Sequence, residues 1–267
     1  TYDAVGTCTG GSCTYEHTIR LQARGPALQS FVLQGRTPQI AVGISTRTMS
    51  GYRGVADLRG RRIGVSASES ATQSVLGILL RRGGLTPADV SLVSVGMGAG
   101  ALNALRSGQI DAISNVEPVM TMLEHRGDVR ILADTRSLAG AQDILGGPMP
   151  AGCLCASTEY VQKHPATCQA LAHAIVRALK WLRTAGPGDI VRTVPEEFLL
   201  GDRGLYLLSL AKVIEAFSLD GLMPQDGART ALRVLQDGDV SVRADRVNLG
   251  QTYTNTFARV AKDRFKA

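Results

Sequence analysis

Two rhythms alternate along this chain. Short runs rich in apolar residues at 31–34, 39–44, 63–65, 92–95, 111–114, 129–133 and 151–156, set off by Gly, Pro, Ser or charged residues, have the pattern of buried strands. Between them the apolar residues recur every three or four positions, as in Val75, Leu76, Leu79 and Leu80 or Leu102 and Leu105, the pattern of helices packed on one face. From Ser157 onward helical spacing dominates, over 165–182, 187–193, 203–216 and 224–236. Strands connected by helices predict an α/β protein with a mainly parallel sheet covered on both faces.

The segment 57–118 holds the candidate chemistry. An apolar strand through Ile63 and Val65 stops at Ser66, and Ser68, Ser70 and Thr72 lead into the helical pattern that begins near Val75. Small hydroxylated residues between a strand and a helix are cap formers, and the free N–H groups of such a helix start favour an anion. A second strand ends at Asn115 and Glu117, a polar pair at the carboxyl end of a parallel strand, where α/β proteins bind ligands. Tyr15, Glu16 and His17 precede the helical pattern Ile19-Arg20-Leu21-Gln22, with Glu16 in the first turn, where its charge suits the helix dipole.

The combination DLRGRRIGV (57–65), GGLTPADVSLVSVG (83–96), ALRSGQIDAIS (104–114) and NVEP (115–118) resembles the substrate-binding proteins of bacterial ABC importers, in the branch of the alkanesulfonate, taurine, nitrate and thiamine-pyrimidine binders. The similarity runs from about Glu16 to Phe257 and includes the segment 146–152. It implies the two-lobe periplasmic-binding-protein fold of type II, with lobe 1 formed by 1–44 and 147–267, lobe 2 by 45–146, and hinge strands at 38–44 and 147–156. It also implies ligand contacts at Glu16, His17, Ser66, Ser68, Ser70, Thr72, Asn115, Glu117 and Gly147, in a cleft that closes by hinge motion. Such proteins carry a further strand, helix and strand before the position of Tyr15. Only fourteen residues stand there in this chain, so lobe 1 is expected to be incomplete at its start.

Composition narrows the functional classes. The 267 residues suffice for two lobes, and no run of eighteen apolar residues occurs. The formal charge of +6 is spread in ones and twos, and aromatics are only 4%, so no nucleic-acid surface is expected. Cys8, Cys13 and His17 form an incomplete metal set, and no metal or cofactor is expected. Gly96, Gly98 and Gly100 depart from the dinucleotide fingerprint and read as a tight turn. Five cysteines leave at least one unpaired within the chain, and Cys153 and Cys155, on one face of a strand, do not bridge each other.

The expectation is therefore a monomeric periplasmic receptor, its signal peptide removed, that binds a small anionic or polar organic solute and docks on an ABC permease. No catalytic residue is expected. The rival readings are an enzyme on the same fold, such as a pyrimidine-precursor synthase, and the ligand-sensing module of a regulator.

Overall fold

The apolar runs become strands wherever they were expected, but the sheets they build are mixed. The computed structural model describes residues 11–25, 27–199, 201–238, 242 and 244–267. The chain runs β1 (Gly11–Thr14), α1 (Glu16–Arg24), β2 (Leu28–Leu33), β3 (Ile40–Ser45), β4 (Arg62–Val65), α2 (Ala71–Arg82), β5 (Ser91–Ser94) and α3 (Ala99–Ser107). It continues through β6 (Ala112–Val116), α4 (Val119–His125), β7 (Val129–Asp134), α5 (Leu138–Leu145) and β8 (Gly152–Ser157). Helices follow: α6 (Thr158–Lys163), α7 (Pro165–Leu182), α8 (Pro187–Thr193), α9 (Arg203–Val213), α10 (Gly227–Gly238) and α11 (Thr256–Phe265).

Two units result. Unit 1 comprises 1–38, 147–190 and 215–267, and unit 2 comprises 39–146 and 191–214. Residues 39–44 and 191–214 thus fall in the second unit, where the sequence reading had put them in the first lobe. The chain passes between the units at four places rather than two. Two of these passages, at 38/39 and 146/147, fall at the starts of the stretches expected to cross between lobes; β3 then lies within the sheet of unit 2, and β8 within that of unit 1.

The sheet of unit 2 has the order β5-β4-β6-β3-β7. Helical crossovers α2, α3 and α4 make β4, β5, β6 and β7 run one way. β3 reaches β4 through residues 46–61, which hold only a single turn of 3-10 helix at Val55–Leu58, and it pairs antiparallel with both β6 and β7. Unit 1 carries the three-stranded sheet β1-β8-β2, antiparallel throughout. The expectation of a mainly parallel sheet therefore holds only for part of unit 2.

Each unit has its own core. In unit 2, Ala101, Leu102 and Leu105 of α3 and Val119, Met120 and Leu123 of α4 pack on Ala41 and Ile113 of the sheet. Ile110 and Val95 close on the bare backbone of Gly64, where a Cβ would stand 2.6 Å from Ile110 Cδ1. In unit 1, Cys168, Ala172 and Val176 form one stripe of α7, which meets Phe257, Ala258 and Ala261 of α11. Phe31 and Phe257 join edge to face, their centroids 6.2 Å apart.

The cysteines fall into a pattern the spacing did not reveal. Cys13 lies opposite Cys153 in the β1·β8 ladder, yet its disulfide goes to Cys155, two positions along. Cys153 stays a thiol with its Sγ 3.8 Å from that of Cys13, and burial pushes its pKa up to about 12. Cys8, part of the candidate metal set, lies outside the described residues. Peptide mapping after alkylation of the unreduced protein should recover Cys13 linked to Cys155, with Cys153 modified only after unfolding. A Cys13–Cys153 link would contradict this pairing.

Candidate functional site

Because β4, β5, β6 and β7 run one way, the segments that follow them gather along one edge of the unit 2 sheet. These are the hydroxyl loop 66–72, the glycine turn 96–98, Glu117 and Arg136. At the hydroxyl loop, Thr72 is buried and its Oγ1 accepts from Ser66 N at 3.0 Å. The same oxygen lies 3.0 Å from Ser66 Oγ and 2.7 Å from Ser70 Oγ, while Ser70 Oγ donates to Ala67 O at 2.7 Å. Ser66, Ser70 and Thr72 therefore hold one another and shape the start of α2. Ser68 stands exposed at the crown of the loop, and among the described residues its hydroxyl has no hydrogen-bond partner.

Asn115 is fully buried. Its Nδ2 donates to Gly96 O at 2.9 Å, and its Oδ1 accepts from Val116 N at 2.9 Å, so it straps the end of β6 to the turn after β5. Ser114 braces the same region from below, donating to Thr72 O at 2.7 Å.

Glu117 belongs to a charge network centred on Arg136, whose side chain is only 3% exposed. The guanidinium forks onto Asp134, with Nε to Oδ1 at 2.9 Å and Nη2 to Oδ2 at 2.6 Å. Its Nη1 donates to Glu117 Oε1 at 2.6 Å and to Glu124 Oε2 at 2.7 Å. Lys212 of α9 donates to the same Glu124 oxygen at 2.6 Å, and Glu117 Oε2 accepts from Thr121 N at 3.0 Å. Burial alone would raise the carboxyl pKa values of Asp134 and Glu124. The hydrogen bonds and charge of Arg136, with Lys212, outweigh it and hold both below the usual range. Three carboxylates face two cations, which leaves the cluster one negative charge. Apart from Glu117, sequence reading missed this cluster, and only the closeness of Asp134 to Arg136 hints at it.

In unit 1 the candidates behave differently. Glu16 begins α1 fully buried, and its Oε1 has no hydrogen-bond partner. Burial raises its pKa to about 7, against the lowering pull of Arg20. Burial, helped by Arg20, lowers the pKa of the adjacent His17. Gly147 serves close packing, since a Cβ there would meet Thr230 Oγ1 at 2.8 Å. The candidates thus fall into two groups, Ser66 to Glu117 on unit 2 and Glu16, His17 and Gly147 on unit 1. Among the described residues, no cluster of three or more His, Cys, Asp or Glu side chains could hold a metal ion.

Replacing Arg136 with Met should cost about 3–5 kcal/mol at pH 7, because three carboxylates lose their shared buried partner. Depressed carboxyl pKa values stabilise the fold above the ordinary carboxylate range, and that contribution disappears as pH falls through the folded-state values. Urea unfolding should therefore show the deficit shrinking toward pH 3, and a constant deficit would speak against the network. Glu16 has the opposite sign. Its raised pKa favours the folded state at low pH, and this advantage is lost as pH rises from about 4.5 to about 7. Glu16→Gln should then gain on the order of 2–3 kcal/mol over the parent at pH 8 and little at pH 4. The difference between the two proteins separates Glu16 from His17, and parallel pH profiles would contradict a buried carboxyl.

The comparisons with known proteins agree with this architecture. The model of the NMT1-like family matches residues 44–191. A protein of Bordetella bronchiseptica RB50 is 47% identical, with a TM-score of 0.93 over 98% of this chain and 82% of its own. The periplasmic aliphatic sulphonate binding protein SsuA from Escherichia coli shares the fold at 20% identity and a TM-score of 0.68, over 92% of this chain and 80% of that one. So does the desulfurization enzyme DSZB, at 18% identity and a TM-score of 0.60, over 96% of this chain and 86% of its own. No curated protein matches the sequence. With more than half of its residues covered by the family model and a relative 47% identical along nearly all its length, the chain belongs to the NMT1-like family.

Proposed function

We propose that this chain is the solute receptor of an ABC importer, working in the periplasm, where it captures a small anionic or polar organic solute and passes it to a membrane permease. The observation that carries the reading is the strand-end edge of unit 2. Four strands that run one way deliver a hydroxyl loop, two helix starts and a charged cluster to one place, in a chain of the NMT1-like family whose fold is that of a periplasmic sulphonate binder. The helix starts α2 and α3 offer N–H groups beside the exposed Ser68 hydroxyl, a set suited to binding rather than turnover. DSZB, an enzyme, shares the fold, and in the receptor reading the Ser68 hydroxyl is a binding donor. The Cys13–Cys155 disulfide fits an oxidising compartment outside the cytoplasm. No helix among the described residues is long and apolar enough to cross a membrane.

Binding to the native state alone raises the unfolding temperature by mass action. Melting curves with alkanesulfonates, nitrate, carboxylates, amines and pyrimidines should therefore identify a stabilising solute that is recovered unchanged. For that solute, Ser68→Ala should weaken binding by about 0.5–1.5 kcal/mol in calorimetry, with unfolding of the free protein unaltered. Steady conversion of the solute to a product would overturn the receptor reading.

A further inference from the structure

Unit 2 contains a hollow of about 440 Å³ between the start of α4 and the segment 191–214. Its wall is mostly apolar, with Pro118, Phe198, Tyr206 and Leu210 contributing to it, and its carboxylates are Glu117 and Glu197. We propose that this hollow is a binding site for an organic amine, the hydrocarbon body lying against Phe198, Tyr206 and Leu210 and the protonated nitrogen facing the two carboxylates. The inference rests on the receptor reading and names the class of solute that unit 2 selects.

Charge and packing both lead there. Among the described residues no Lys or Arg lines the hollow, and Arg136 is occupied by Glu117, Glu124 and Asp134, Lys212 by Glu124, and Arg203 by Glu196 at 2.9 Å. An anion entering would meet two carboxylates with no compensating charge. Glu117 keeps lone pairs toward a donor, because each of its oxygens receives a single hydrogen bond. Glu197 is exposed, and among the described residues its side chain has neither ion pair nor hydrogen bond. Phe198 is 60% exposed, an unusual cost for a large aromatic side chain, and its ring face together with that of Tyr206 is suited to a cation. The volume holds one ring and a short chain, at the lower end of ligand pockets.

Calorimetry on the whole protein tests the assignment with phenethylamine, phenylacetate and ethylamine, which separate charge from hydrocarbon. Phenethylamine should bind at least about tenfold more tightly than either of the others. Glu197→Gln should weaken it about threefold or more, and Leu210→Trp, which fills the hollow, should abolish it. Phe198→Ala, at an exposed position where folding is not at stake, should also weaken it and covers the case in which Leu210→Trp does not fold. The inference is overturned if phenethylamine gives no heat at millimolar concentration, if phenylacetate binds as well, or if amine binding is indifferent to both Leu210→Trp and Phe198→Ala. A solute found by melting that binds Leu210→Trp unchanged would leave the receptor reading standing and overturn this site. Product formation would overturn the receptor reading itself, whatever Leu210→Trp does to phenethylamine.

Discussion

Unit 2 depends on one buried guanidinium. A cation as enclosed as Arg136 is tolerated only when its donors are met by acceptors of opposite charge, and here they come from three places in the chain. Asp134 closes β7, Glu117 follows β6, and Glu124 lies on α4, so the network fixes the ends of two strands and the helix between them. Lys212 then draws α9 to the same carboxylate. That pairing, with the packing of α9 against α4, explains why residues 191–214 belong to unit 2 although the chain on both sides belongs to unit 1.

The same arrangement makes the two ends of the edge chemically unlike. After β4 and β5 stand hydroxyls and the starts of α2 and α3, which favour negative charge. After β6 and β7 stand the carboxylates of the Arg136 network, with an excess of one negative charge. A bare anion is therefore favoured at one end and disfavoured at the other. A solute carrying a donor or cation suits the carboxylate end, where Glu117 is already positioned by Arg136 and Thr121.

Strand positions were legible because a buried strand needs a run dominated by apolar residues, and 40–44 or 129–133, with Arg130 its one charged residue, offers little else. Strand direction was not. The run that forms β3 reads the same either way, and only the missing crossover helix before β4 distinguishes antiparallel from parallel pairing. β1 is short and largely exposed, so it had no apolar signal to follow, while α11 lay beyond the helical spacing that was recognised. At the site, hydroxyl residues after a strand were legible as a helix start, but sequence alone does not separate a hydroxyl that serves a neighbour from one left free. Ser66, Ser70 and Thr72 proved to serve one another, and Ser68 stayed free. Glu117 was found from its place after a strand, whereas its partner lies nineteen residues further along, at a separation no local pattern marks.

Fold alone does not decide the chemistry, since a sulphonate binder and a desulfurization enzyme share this architecture at about one-fifth sequence identity. The deciding features are local, and they concern which polar groups remain unspent once the fold is satisfied. Asn115 and the Thr72 cluster are committed to holding loops in place, and Gly147 to close packing. Ser68, the two helix starts, Glu197 and the remaining lone pairs of Glu117 are not committed in this way. Uncommitted donors thus lie at one end of the edge and uncommitted acceptors at the other, so under the proposed receptor function a solute would be selected by how its charge is distributed rather than by its net charge.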